Sequence, residues 1–197
     1  MIEALRILLL DDTGGPDAAA ATAEAVVRAL DACTHVERAY VIGGQGAPPA
    51  GEAMESIVFL RHRAARPFFR GRRLAWLALR SEKIHLVICG HQSRLLTAWL
   101  VARLRGARLA AILTDNGAWR GPRSWIAPFL ARGIDSFAVF DTASARQFSV
   151  WSGIPRDRGF LLQRPRQPQM PGAGEASRAA REPNAFAADV ADWLWGV

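Results

Sequence analysis

The chain repeats one unit from its first residues onward: a short, continuous apolar run, then a stretch with helical periodicity. Leu5 to Leu10 is apolar except for Arg6. An unalternated run of that length suits a strand covered on both faces. Ala18 to Ala32 follows with Val26, Val27 and Leu30 on one side of a helix and Glu24, Arg28 and Asp31 on the other. Further strands are expected at Val36–Ile42, Ile57–Leu60, Ile84–Cys89, Leu109–Leu113, Phe137–Phe140 and Phe160–Leu162. Helices are expected at Ser93–Arg105, capped by Ser93 and stopped by Gly106, at Pro122–Arg132, and at Ala143–Trp151, stopped by Gly153. Strands separated by helices predict right-handed crossovers and a mainly parallel sheet: a Rossmann-like, three-layer α/β domain. Ligands of such sheets bind beyond the carboxyl ends of the strands. The loops to watch are therefore Asp11–Pro16, Gly90–Ser93, Thr114–Pro122 and Asp141–Ala143.

A chain of 197 residues, half of them hydrophobic, holds one such domain and is short for two. The expected organisation is a domain over residues 1–163, a Pro-, Gly- and Arg-rich linker over 164–183, and a C-terminal helix over 184–197 packing back on the domain. Asn184 can cap that helix, whose stripe of Phe186, Val190, Trp193 and Leu194 needs a surface to cover it. Cys33 and Cys89 form no CxxC pattern, which excludes a zinc ribbon or a disulfide framework, and His35, His62 and His85 have no ligand spacing with His91, so no metal is expected. The start has no basic region ahead of its apolar run, and no run approaches the roughly 20 residues of a membrane helix. A cytoplasmic protein, with peripheral attachment to the inner membrane face left open, is the expectation.

The formal charge is +7, almost all from arginine, since Lys83 is the only lysine. Arg66, Arg70, Arg73 and Arg80 are spaced four, three and seven apart, on one side of a helix with Phe68, Phe69, Trp76 and Leu79 away from it. Arg66, Arg70, Arg73 and Trp76 are thus candidates for a face against anionic lipid or another polyanion, or simply a solvated helix surface. No nucleic-acid-binding motif accompanies the charge, and no nucleic acid is expected.

Three loops carry candidate chemistry. Gly14 and Gly15, between the first strand and first helix, let backbone N–H groups approach an anion, although Asp11–Pro16 is not GxGxxG. His91 follows a strand directly and can bond a sugar hydroxyl or a phosphate oxygen. Asp115, Asn116, Trp119 and Arg120 put an acid, an amide, an aromatic and a base in one loop; Asp115 is the best general-base candidate and Trp119 can stack on a sugar face. Asp11–Asp12 also suits a phospho-accepting receiver domain. That reading fails because Cys89–His91 and Asp141–Thr142 close the later strands where an Asp and a Lys are required.

In their order and spacing, Arg6–Leu10 with Gly14–Gly15, Ile84–His91, Ala110–Gly117, Ile134–Phe140 and Gly153–Pro155 resemble the N-terminal domain of glycosyltransferase family 4, a GT-B family. The resemblance covers about Leu5 to Gln163. It implies an acceptor-side domain often found at a membrane, with Gly14 and Gly15 near a donor diphosphate and His91 lining the cleft. The chain departs from the family at Asn116–Gly117, where His-Gly is usual, at Asp141–Thr142, where Ser is usual, and in having no Glu-x7-Glu donor domain. The resemblance therefore implies a hexosyltransferase-type half working in glycan or glycolipid assembly with a separate subunit that binds the nucleotide-sugar donor, or as a homo-oligomer, with no cofactor of its own. A non-catalytic GT-B-derived binding or assembly protein, and a peripheral membrane binder, are the alternatives.

Overall fold

The computed structural model describes residues 4–10, 18–42, 55–59, 83–91, 94–113, 127–163 and 185–196. Seven strands form one sheet: β1 (Leu5–Leu10), β2 (Val36–Ile42), β3 (Ile57–Phe59), β4 (Leu86–Cys89), β5 (Arg108–Leu113), β6 (Ser136–Val139) and β7 (Gly159–Leu161). Their order is β3-β2-β1-β4-β5-β6-β7, and every pairing is parallel. Among the described residues the helices are α1 (Ala18–Ala32), α2 (Leu95–Arg105), α3 (Ala127–Ala131), α4 (Thr142–Ser152) and α5 (Ala185–Gly196), with a 3-10 turn at Arg156–Arg158. The expected class, a Rossmann-like parallel α/β sheet, is what the chain forms.

The apolar runs lack alternation because both sheet faces are covered. Successive residues of β1 go to opposite cores: Ile7 and Leu9 join α1 and α5, whereas Leu8 and Leu10 join the α2 side. The same division sends Leu86 and Ile88 one way and Val87 and Cys89 the other along β4. Cys33 and Cys89 are buried and form no disulfide. Gly106 and Gly153 end α2 and α4 in the left-handed conformation, at φ 61° and 73°, as the helix-stop positions require.

The helix α5 packs beside α1 in the core on that face of the sheet. Phe186 stacks on Phe140 beyond the carboxyl end of β6, with ring centroids 6.3 Å apart. Trp193 reaches the amino end, where its Nε1–H donates to the Ser136 hydroxyl at 2.6 Å. Between these points the Asp189 carboxylate accepts the Gln163 N–H at 2.9 Å. Phe186, Val190, Trp193 and Leu194 are all buried, each side chain contributing on the order of 1.5–3 kcal/mol of transfer free energy.

Several boundaries differ from the sequence expectation. The strand β4 starts at Leu86, not Ile84, because the Arg6 N–H is taken by His85 Nδ1 at 3.1 Å where a strand carbonyl would otherwise accept it. The helix α2 starts at Leu95 rather than Ser93: Arg94 N–H donates to the His91 carbonyl at 3.0 Å, a tight turn that delays the helix, and Arg94 as boundary residue supplies no side-chain cap. Ser93 and Asn184 lie outside the described residues. The helix α3 ends at Ala131, where Gly133 and Ile134 N–H close a three-residue turn on Leu130 and Ala131. The strand β6 ends at Val139, and Asp141 is extended, because its carboxylate caps α4 by accepting from Ser144 N at 2.7 Å. Among the described residues no helix is long and apolar enough to cross a membrane.

Candidate functional site at the strand-order reversal

From β1 the chain builds outward to β2 and β3, then returns to the other side of β1 to add β4 through β7. The reversal lies between β1 and β4, whose registers run from Ile7↔Leu86 to Leu10↔Cys89. Crossovers leaving two adjacent strands in opposite directions open a crevice beyond their carboxyl ends, which is where open parallel sheets bind ligands. The strands β1, β4 and β5 are consecutive neighbours in the sheet. The segments that follow them carry Gly14 and Gly15, His91, and Asp115 to Arg120 respectively.

Of these residues the structure describes His91. The ladder between β1 and β4 continues one residue past the strand, with Gly90 N–H donating to the Leu10 carbonyl at 2.9 Å. His91 comes next and is half-buried. Its carbonyl accepts the Cys89 thiol at 3.1 Å and the Arg94 N–H at 3.0 Å. These bonds turn the chain at once from strand to helix and fix the histidine backbone at the mouth of the reversal. Gly14, Gly15, Asp115, Asn116, Trp119 and Arg120 lie outside the described residues, as do Arg66, Arg70, Arg73 and Trp76.

The helix N-termini around this end differ in one respect. That of α4 is closed by Asp141, whose second carboxylate oxygen also takes the Ser144 hydroxyl at 2.5 Å. The boundary of α2 has no side-chain cap and no acidic residue in its first turn, and it carries Arg94, half-buried, three residues after His91. A cation at a helix N-terminus opposes the helix dipole, so Arg94 suits a site that receives negative charge. Sequence reading passes over Arg94, although an arginine at the first position of a helix after His91 is a visible signal. Among the described residues no three His, Cys, Asp or Glu side chains gather as a metal site. Asp141, in a loop expected to face the ligand end, is a helix cap with both oxygens engaged.

The fold is that of one half of a GT-B protein. No family model matches the chain, and no curated protein matches it. Among solved structures, it is similar to a lipopolysaccharide outer core galactosyltransferase, WaaB, with a TM-score of 0.55 and 12% identity over 84% of this chain and 47% of that one. It is similar to Anabaena HepE in complex with UDP and glucose, with a TM-score of 0.54 and 16% identity over 81% of this chain and 44% of the other. It is also similar to UDP-GlcNAc 2-epimerase from Methanocaldococcus jannaschii, with a TM-score of 0.53 and 12% identity over 80% of this chain and 45% of the other. The chain thus spans less than half the length of each. At these identities the likeness establishes the GT-B-like fold, not membership of glycosyltransferase family 4.

Proposed function

We propose that the chain is the acceptor-side half of a glycosyltransferase of hexosyltransferase type, working in glycan or glycolipid assembly with a nucleotide-sugar-binding wall supplied by a separate subunit. The observation that carries this reading is the strand-order reversal between β1 and β4 with His91 at its mouth. Transfer needs both substrates held together in a cleft from which water is excluded, and one sheet layer forms one wall of such a cleft. In this reading Gly14 and Gly15 approach the donor diphosphate, and His91 bonds a hydroxyl or phosphate oxygen. Asn116, Trp119 and Arg120 hold the acceptor, and Asp115 removes the proton from the attacking hydroxyl. The similar structures support it to the extent that one is a galactosyltransferase and another binds UDP and glucose.

The test is to recover the donor-binding subunit by co-purification and to assay the pair with UDP-hexose donors. Sugar transfer is expected from the pair and not from this chain alone. Asp115→Ala is expected to lower the rate about 100-fold or more, as loss of a general base does. Transfer by the pair that is unchanged in the His91→Ala, Asp115→Ala double variant removes the assignment. A second reading rests on Asn116–Gly117, where the resembled family has His-Gly, since an amide accepts no proton at neutral pH. Glycan binding without transfer, in any pairing, would favour that non-catalytic role.

A further inference from the structure

The helix α2 is apolar on both sides. Leu95, Ala98, Val101 and Ala102 are buried in the core, yet Leu96, Leu100 and Leu104 on the outward side are 53%, 40% and 58% exposed. Their spacing of four makes one continuous ridge along the helix. Phe129 on α3, which contacts α2, is 68% exposed. A helix with leucine all round is ordinarily covered on every side. Exposed apolar ridges of this kind mark surfaces that meet something.

The charge on the ridge's own helix is of one sign. The helix α2 contains no Asp or Glu. Arg103 lies beside the ridge with its guanidinium 5.7 Å from the Trp99 ring centre. Trp99 in turn rests on the next connection, since a Cβ on Gly133 would lie 2.9 Å from its Nε1. From there Arg132 reaches toward Gly153, at 3.8 Å from a Cβ there, and the Arg156–Arg158 turn follows. Arg103, Arg108, Arg132, Arg156 and Arg158 are all exposed and mark the amino ends of the neighbouring strands β5, β6 and β7. The carboxylates interspersed there are Asp135, which accepts the Leu109 N–H at 2.8 Å, and Asp157.

We propose that this corner of the molecule docks on an anionic lipid surface. Leu96, Leu100, Leu104 and Phe129 enter the acyl boundary while the arginine rim meets the phosphate headgroups. A second copy fits less well, because two α2 helices packed about a two-fold axis set arginine beside arginine with no helix carboxylate to answer them. The arginines spread laterally over three successive connections, which matches an extended anionic plane better than one acidic helix. The surface is distinct from the Arg66–Trp76 segment considered in the sequence, and the inference does not depend on the transferase reading.

Sedimentation of the full chain with vesicles of phosphatidylcholine, with and without phosphatidylglycerol, tests the assignment. Binding is expected only with phosphatidylglycerol and is expected to fall as salt is raised. Leu96→Ser with Leu100→Ser and Leu104→Ser should weaken partition about tenfold or more. Each of Arg103→Ser and Arg108→Ser should weaken it about fivefold. Val150→Ser, at a position 78% exposed on α4, serves as the control and should change nothing. All the substituted side chains are outward-facing, so melting temperatures near that of the unaltered chain verify folding. No sedimentation of the unaltered chain, equal binding to neutral vesicles, or binding indifferent to the leucine changes would overturn the assignment. So would a dimer in the absence of lipid that Leu100→Glu dissociates, or capture of an acidic protein through this face without vesicle binding.

Discussion

At the scale of single residues, the most consequential polar contact is internal. Ser136 is one of few buried polar side chains among the described residues, and its hydroxyl receives the indole N–H of the fully enclosed Trp193. Ser136→Ala removes the acceptor and leaves that N–H buried without one, at a cost of about 1–3 kcal/mol. Urea titration should show this loss, and Trp193→Phe introduced with Ser136→Ala should cost less than the two changes summed, because the orphaned donor is gone. A contrasting pair lies on the surface. Arg6 donates to Glu37 through Nε at 2.9 Å and Nη2 at 2.7 Å. The hydrogen bond from Arg6, opposed by desolvation and helped by the charges of Arg6 and Arg38, holds the Glu37 carboxyl below its ordinary value. A depressed carboxylate value stabilises the fold above the unfolded-state value, and that contribution is lost as pH falls through the folded one. The stability gap between the unaltered chain and Glu37→Gln should therefore be small near neutrality, shrink in high salt and vanish in acid. A gap that widens on acidification would show that Glu37 acts through something other than its charge.

At the scale of elements, chain pattern and structure agree where the signal is local. The apolar run at Leu5–Leu10 and the strand expected at Val36–Ile42 form with those bounds, and Gly106 and Gly153 end helices as their positions suggest. Disagreement arises where a side chain replaces a backbone group. His85 substitutes an imidazole for a ladder carbonyl, and Asp141 substitutes a carboxylate for the missing first-turn carbonyl partners of α4. Neither exchange has a period that a sequence window could detect. Contacts across the fold are equally invisible in one dimension: Ser136 and Trp193 are 57 residues apart, and the pairing of their elements is a matter of topology. The candidate site was legible as a set of loops after strands, of which the described part is His91 and its turn. Close approach between elements yields another test. A Cβ on Gly159, at the start of β7, would lie 2.6 Å from Phe137 Cζ on β6. Gly159→Ala should destabilise by about 1–3 kcal/mol through forced repacking, and Phe137→Leu should recover part of it. Thermal unfolding of the two single variants and the double variant measures both effects.

At the scale of the whole molecule, a shared architecture coexists with different chemistries, since the similar structures include a galactosyltransferase and an epimerase. Function on such a sheet is decided by the loops at its carboxyl end, which is why the reading above turns on His91 and on the segments after β1 and β5 rather than on the likeness itself. The placement of β1 between β2 and β4 has a further consequence, this time for synthesis on the ribosome. The strand β1 needs a neighbour 79 residues downstream, the separation between Arg6 and His85, before its second edge is paired. Loop closure over that distance delays the pairing, so nascent chains arrested before Cys89 should be readily cut by protease, and chains extended beyond Leu162 should resist it. Protection already present in the shorter chains would mean that the early strands assemble without their later partner. Until β4 arrives, β1 and the elements around it present an open, apolar strand border, and translation speed through residues 43 to 85 sets how long a chaperone has to shield it.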